Sequence, residues 1–215
     1  MTDGLFLPRD LPLWQAARPY LDVRNNDEHT VIAYALAKVL LREIPEADPA
    51  IVLPAITLHD VGWKAIDPDL ILQAVGRNPT RKDLVREHEI AGVAIAREIL
   101  ERLRPEGVDI DAVLAVIDGH DTTRDARSVS DAVVKDADKG WRSTPHGMHT
   151  IAAWYDVPLS EIILMLEERS NKDMLTAPGR ALAEGQTAAV KAQLALGRHL
   201  GLAGEDGDNT KVKTW

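Results

Sequence analysis

Six side chains carry the chemistry of this sequence: His29, the doublet His59-Asp60, His88, His120 and Asp138. Imidazole nitrogens and carboxylate oxygens are the donors that hard and borderline divalent cations take, and this set suits one ion or two. The chain has no cysteine, which excludes disulfides and thiolate sites and leaves an Asp/His centre as the remaining option. Competing patterns fail. His88-Glu89 opens like a His-Glu-x-x-His zinc motif, but Gly92 stands where the second histidine belongs. No histidine has a glutamate three residues before it, so the ferritin-like di-metal pattern is absent. There is no Gly-x-Ser-x-Gly elbow and no glycine-rich phosphate loop.

Helical spacing decides whether these groups face inward. His29 shares a stripe with Ile32, Ala33, Leu36 and Leu40, and His88 with Ala91, Gly92, Ile95 and Ile99. Asp138 lies with Val134 and Trp141, and His120 follows Val113, Val116 and Ile117. Each polar group therefore continues an apolar face. A buried carboxylate needs a charged partner and a buried imidazole needs hydrogen bonds, and one shared metal centre meets all these demands. A lone histidine on an apolar face is more often a hydrogen-bonded core residue than a ligand. His146, His149 and His199 are read that way, with His146 and His149 as candidates for a pocket wall.

The elements that must position these groups read as helices. A short one lies near Leu13–Arg18, after a Pro-rich start. Asp27 is expected to cap a helix reaching about Glu43, stopped by Pro45. Asp48-Pro49 starts another that ends at His59-Asp60-Val61-Gly62 and is kinked by Pro54. Asp67-Pro68-Asp69 opens a short helix to Val75, and Thr80 caps a long one over Arg81–Leu103. A helix over Asp109–Asp118 leads into Gly119-His120-Asp121, and Ser128 or Ser130 caps the helix bearing Asp138 and Trp141. Further helices are expected over about 145–155, 158–169 and 178–200. Strand alternation and internal repeats are both missing, so the expected class is all-α.

Composition sets the boundaries. With 215 residues, 45% of them hydrophobic, the chain can build one substantial core, and 4% aromatics make it mostly aliphatic. A formal charge of -9 argues against binding a nucleic acid polymer. It leaves room for a small anionic substrate, because a metal dominates its local field. No apolar run reaches the roughly 18 residues of a membrane span. The first ten residues lack a signal-peptide pattern, so a soluble cytoplasmic protein without a membrane partner is the expectation. The acidic, Ala-rich last helix leaves room for a homo-oligomer.

Five segments resemble the HD-domain superfamily of metal-dependent phosphohydrolases. They are Asn25-Asn26-Asp27-Glu28-His29, Leu58-His59-Asp60-Val61-Gly62-Trp63, Arg86-Glu87-His88-Glu89-Ile90-Ala91-Gly92, Asp118-Gly119-His120-Asp121 and Lys135-Asp136-Ala137-Asp138-Lys139. The resemblance implies an HD-domain-like helical bundle with the metal site among the central helices. The resemblance covers about residues 20–142, the motif core of the single domain that length and composition lead one to expect over 1–202, with C-terminal helices over 145–200 and a polar, mobile tail over 203–215. It implies that His29, His59, Asp60 and Asp138 hold one divalent ion and that His88 and His120 add a second, with Asp60 bridging. Iron or manganese are the favoured ions, and Asp136 is the rival of Asp138.

The implied reaction is cleavage of a phosphate ester, of a nucleotide or another small molecule, by a metal-activated hydroxide. Asp60 and Asp121 are the catalytic candidates, Asp121 to orient a ligand or take a proton. Arg24, Lys64, Lys139 and Arg142 are the candidate cations for the substrate anion, and Trp63 and Trp141 candidate walls. Two alternatives stand beside this. One is a mixed-valent di-iron oxygenase of the same superfamily, to which Tyr20 and Asp22 before the first histidine bear some likeness. The other is a non-catalytic nucleotide-binding domain. The chain lacks the Gly-Tyr-Pro motif of the branch that degrades cyclic dinucleotides.

Overall fold

Proline and short acidic side chains start most of these helices. In the computed structural model, which describes residues 4–76 and 78–200, α1 runs over Leu11–Ala17 and α2 over Asn26–Glu43. α3 is Pro49–Leu58, with Pro49 in the first turn and the Asp48 carboxylate accepting from the Ala50 N–H. α4 is Pro68–Val75, started the same way by Asp67-Pro68. The long α5 is Asp83–Leu103, and α6 is Ile110–Ile117 under an Asp109 cap. α7 is Val129–Trp141, α8 Pro145–Tyr155, α9 Leu159–Met165 and α10 Ala177–His199. Short 3-10 turns occupy Arg18–Tyr20 and Val61–Ala65, and a π-helical turn, Leu166–Ser170, extends α9. The described residues contain no strand, so the protein is all-α. No helix among them is long and apolar enough to cross a membrane.

Several expected boundaries shift. α2 is entered from Asn25, which sits at φ 58, so Asp27 lies in the first turn rather than at the cap. The Thr80 and Arg81 N–H groups both donate back to the Gln73 carbonyl, closing the loop onto α4. α5 therefore starts only at Asp83. Of the two serines, Ser128 caps α7 by accepting from the Asp131 N–H, while the Ser130 hydroxyl accepts from the Asp48 N–H. The doublet itself stands outside α3. The tail expected over 203–215 lies outside the described residues.

The central layer is α2, α3 and α7. α2 packs along both others, α3 also meets α6, and α5 covers α6 and the Val61–Ala65 turn. Leu40, Val52, Ile56, Leu100, Ile117 and Val133 fill the space between them and are almost wholly buried. A second apolar cluster around Met148, Ile162, Leu166 and Val190 fastens α8, α9 and α10 against Trp141.

The turn after the doublet and α5 come into backbone contact. A Cβ on Gly62 would collide with the His88 carbonyl oxygen and with the backbone of Gly92. The doublet turn thus lies directly on α5, at the level of His88, because Gly62 carries no side chain.

Candidate metal centre

Five elements each deliver part of the site. His29 comes from α2, His59 and Asp60 from the end of α3, His88 from α5, His120 and Asp121 from the loop after α6, and Asp138 from α7. His59 and His88 are fully buried, and His29, Asp60, His120 and Asp138 nearly so. The imidazole Nε2 atoms of His29 and His59 lie 3.0 Å apart, and those of His88 and His120 3.4 Å apart. Asp138 Oδ1 is 3.2 Å from His29 Nε2 and 3.7 Å from His59 Nε2.

Asp60 stands between the two pairs. Its Oδ2 is 3.6 Å from both His29 and His59, while its Oδ1 is 3.6 Å from His120 and 3.8 Å from His88. The Trp63 indole N–H donates to Oδ1 at 3.1 Å and fixes the carboxylate plane. Trp63 also stacks on the His88 ring, with centroids 4.0 Å apart.

The donor set fits divalent cations. His59 Nδ1 sits 2.8 Å from the Ile56 carbonyl and His120 Nδ1 2.9 Å from the Ile117 carbonyl. An N–H on Nδ1 must donate there, which leaves the Nε2 lone pairs pointing into the site, as metal-ligating histidines require. Three groups of ligand atoms lie within 4.8 Å of one another: His29, His59 and Asp138; His59, Asp60 and His120; His88, His120 and Asp121.

Electrostatics point the same way. Burial works to raise the Asp60 carboxyl, but His59, His120 and His29 hold it well below the usual carboxylate range. Burial likewise opposes ionisation of Asp138, and hydrogen bonds with His29 and His59 overcome it. The site therefore holds ionised carboxylates in a buried place, where a cation is the natural complement.

The site opens into a cavity of about 440 Å³. Arg24, Asn26, Trp141, Arg142, Trp154 and Tyr155 line it, together with Asp60, Asp121 and Asp138. Arg24 sits at φ 55, and its guanidinium carbon is 4.9 Å from the centres of both the Trp63 and Trp154 rings. That is a cation held between two indoles. The Arg24 Nε and Asn26 Nδ2 atoms are buried without a hydrogen-bond partner. Arg169, from the π-helical turn, also lines this cavity.

The other expected residues fall elsewhere. Lys64 points away from the cavity and pairs with Asp22 at 2.6 Å on the surface. Lys64 lies within the 3-10 turn Val61–Ala65, on its exposed side. Lys139 lines a neighbouring cavity that shares Asp121 and Asp173 with the first. Asp136 faces away from the histidines. It accepts from the Leu175 and Thr176 N–H groups at 2.8 Å and from the Thr176 hydroxyl at 2.6 Å, so it secures the start of α10. His146 bridges the Trp141 indole and Glu28, and His149 bonds the Pro145 carbonyl.

Two buried charged residues went unread in the sequence. Glu89 accepts from the N–H groups of Asp121 and Thr122 at 2.9 and 2.8 Å and from the Thr122 hydroxyl at 2.7 Å. Lys135 donates to the Thr123 hydroxyl and to the carbonyls of Thr123 and Asp125 at 2.6, 2.9 and 3.2 Å. Between them they tie the loop carrying His120 and Asp121 to α5 and α7.

The model of the HD domain family matches residues 26–139, over half of the chain, and spans all six of the histidine and aspartate candidates. No curated protein and no solved structure matches the chain.

Proposed function

The chain belongs to the HD domain family, and from that premise we propose that it is a metal-dependent phosphohydrolase acting on a small phosphate ester, nucleotides included. The observation that carries the reading is the placement of Asp60. Its two carboxylate oxygens face separate histidine pairs, and the cavity it lines also presents Arg24, Arg142, Arg169, Trp141 and Trp154.

His29, His59, Asp60 and Asp138 would hold one divalent ion, and His88, His120 and Asp60 a second. Bound divalent ions supply Lewis acidity and an acidified water, which phosphate hydrolysis at neutral pH requires. Everything else falls to the chain. The backbone carbonyls of Ile56 and Ile117 hold two imidazoles in the ligating tautomer. Trp63 fixes the Asp60 carboxylate. Arg24, clamped between indoles, offers a guanidinium whose orientation is set before substrate arrives. Arg142 adds a second cation at the wall, and its guanidinium has no hydrogen bond or ion pair among the described residues. Trp141, Trp154 and Tyr155 offer apolar surface to the remainder of the ester.

The oxygenase alternative draws on Tyr20 and Asp22. Asp22 is exposed and engaged by Lys64, and neither residue lines the cavity, which favours hydrolysis. The test is a phosphate-release screen run without oxygen on protein loaded with Mn²⁺. Phosphate release that is unchanged on admitting air is expected; turnover that appears only with oxygen refutes the hydrolytic reading. In the same assay Arg24→Ala is expected to lower kcat/KM by about 10–100-fold, the worth of a charged hydrogen bond.

A further inference from the structure

The sequence contains a second His-Asp doublet, His120-Asp121, and the fold treats it like the first. Each doublet follows the end of a helix, α3 or α6. Each histidine directs Nδ1 at the carbonyl three residues back, Ile56 or Ile117, at 2.8 and 2.9 Å. Each aspartate lies among imidazole nitrogens.

Around His29 and His59 the ligand atoms are two Nε2, one Asp138 oxygen and Asp60 Oδ2. Around His88 and His120 they are two Nε2, Asp60 Oδ1 and one further oxygen, Asp121 Oδ2. That oxygen lies 3.8 Å from His120 Nε2 and 3.9 Å from His88 Nε2. The two halves thus have the same composition, and Asp121 occupies in the second the place of Asp138 in the first.

The loop is built to hold Asp121 there. Glu89, fully buried, accepts from the N–H groups of Asp121 and Thr122, and Lys135, 1% exposed, donates to the next turn of the loop. A carboxylate on an ordinary surface loop has no need of two buried charged anchors. The Asp121 side chain remains 23% exposed, at the junction of two cavities, so the second half is the more open of the two.

We propose that Asp121 is a protein ligand of the second ion, giving a pseudo-symmetric centre in which each ion has two histidines, one aspartate of its own and one oxygen of Asp60. This rests on the two-ion reading of the proposed function. It differs from an acid–base role for Asp121, in which the ion would bind equally well without the carboxylate. It also implies that the second ion is the exchangeable one, because its aspartate sits on a loop at the cavity mouth whereas Asp138 sits inside a helix.

The test is Mn²⁺ titration of the metal-stripped, full-length protein, followed by calorimetry and by electron paramagnetic resonance. The wild type is expected to take up two ions that give an exchange-coupled signal through the shared carboxylate. Asp121→Asn is expected to keep the first ion and its helical spectrum, lose the coupled signal, and bind the second ion at least about tenfold more weakly. Even outer-shell partners of metal ligands are worth that much. Asp121→Glu, which keeps a carboxylate, is expected to recover part of the coupling.

A variant Asp121→Asn with two ions at wild-type affinity overturns the assignment, and lost turnover in that variant would then mark a proton-transfer role. A wild type that takes up one ion or none overturns the two-ion reading itself, and the assignment falls with it.

Discussion

Four imidazoles and two carboxylates packed at these distances must share protons when no cation is bound. Burial works to lower the His120 imidazole, but its hydrogen bond to Asp60 and the charges of Asp121, Asp60 and Asp138 raise it to about 10. His88 moves the other way, to about 4, through burial and the neighbouring His120. A histidine raised from its ordinary 6.5 stabilises the fold fully below pH 6.5 and ceases to do so as the pH climbs through about 10. The metal-stripped protein is therefore expected to lose unfolding free energy between pH 6.5 and 10, read from urea midpoints. Ion binding must displace the same proton, so Mn²⁺ affinity is expected to rise over that window, with proton release visible in calorimetry across buffers. His59→Ala should abolish tight binding of the first ion while the far-ultraviolet spectrum stays helical. At this scale an apolar stripe in the sequence foretold burial, as for His29, His88 and Asp138. The sequence misled where only proximity along the chain was available: Lys64 follows the doublet closely, yet the 3-10 turn carries it outward to Asp22.

Helix assignments were legible where a start has a local cause, such as Asp48-Pro49, Asp67-Pro68 or the Ser128 cap. The doublet's exit from α3 and the late start of α5 were not, because each depends on a contact between separate segments. Glu89 and Lys135 were missed for the same reason. A buried charge satisfied by backbone groups of a distant loop leaves no periodic trace in the sequence. The Gly62–Gly92 approach is where an element-scale test is sharpest. Gly62→Ala places a methyl group against the backbone of α5, and α5 must move away from the doublet. A loss of about 1–3 kcal/mol in unfolding free energy is expected, the range for overpacking, together with weakened uptake of the second ion. Gly185→Ala in α10, where an added Cβ meets nothing within 4 Å, is the matched control. It should be neutral or stabilising by up to about 1 kcal/mol. A Gly62→Ala protein as stable as this control would show that the doublet turn and α5 are not in backbone contact.

Across the whole molecule, a chain of net charge -9 presents arginines at one cavity, above the buried aspartates of the metal centre. With divalent ions in place, as proposed, those arginines would add to a cationic field that suits a small anion. Membership of the HD domain family and the all-α architecture were both legible in the ordered histidines and aspartates. The cavity wall was not, because Trp154, Tyr155 and Arg169 come from C-terminal elements that reach the site through tertiary packing, the second apolar cluster included. Elemental analysis of the full-length protein, purified without oxygen or chelator and compared with His59→Ala, asks whether the six converging side chains hold divalent ions. About two divalent ions per chain are expected in the wild type and fewer in the variant. A wild type that carries no divalent metal, and takes up none from added Mn²⁺ or Fe²⁺, would contradict a metal-holding role for these side chains.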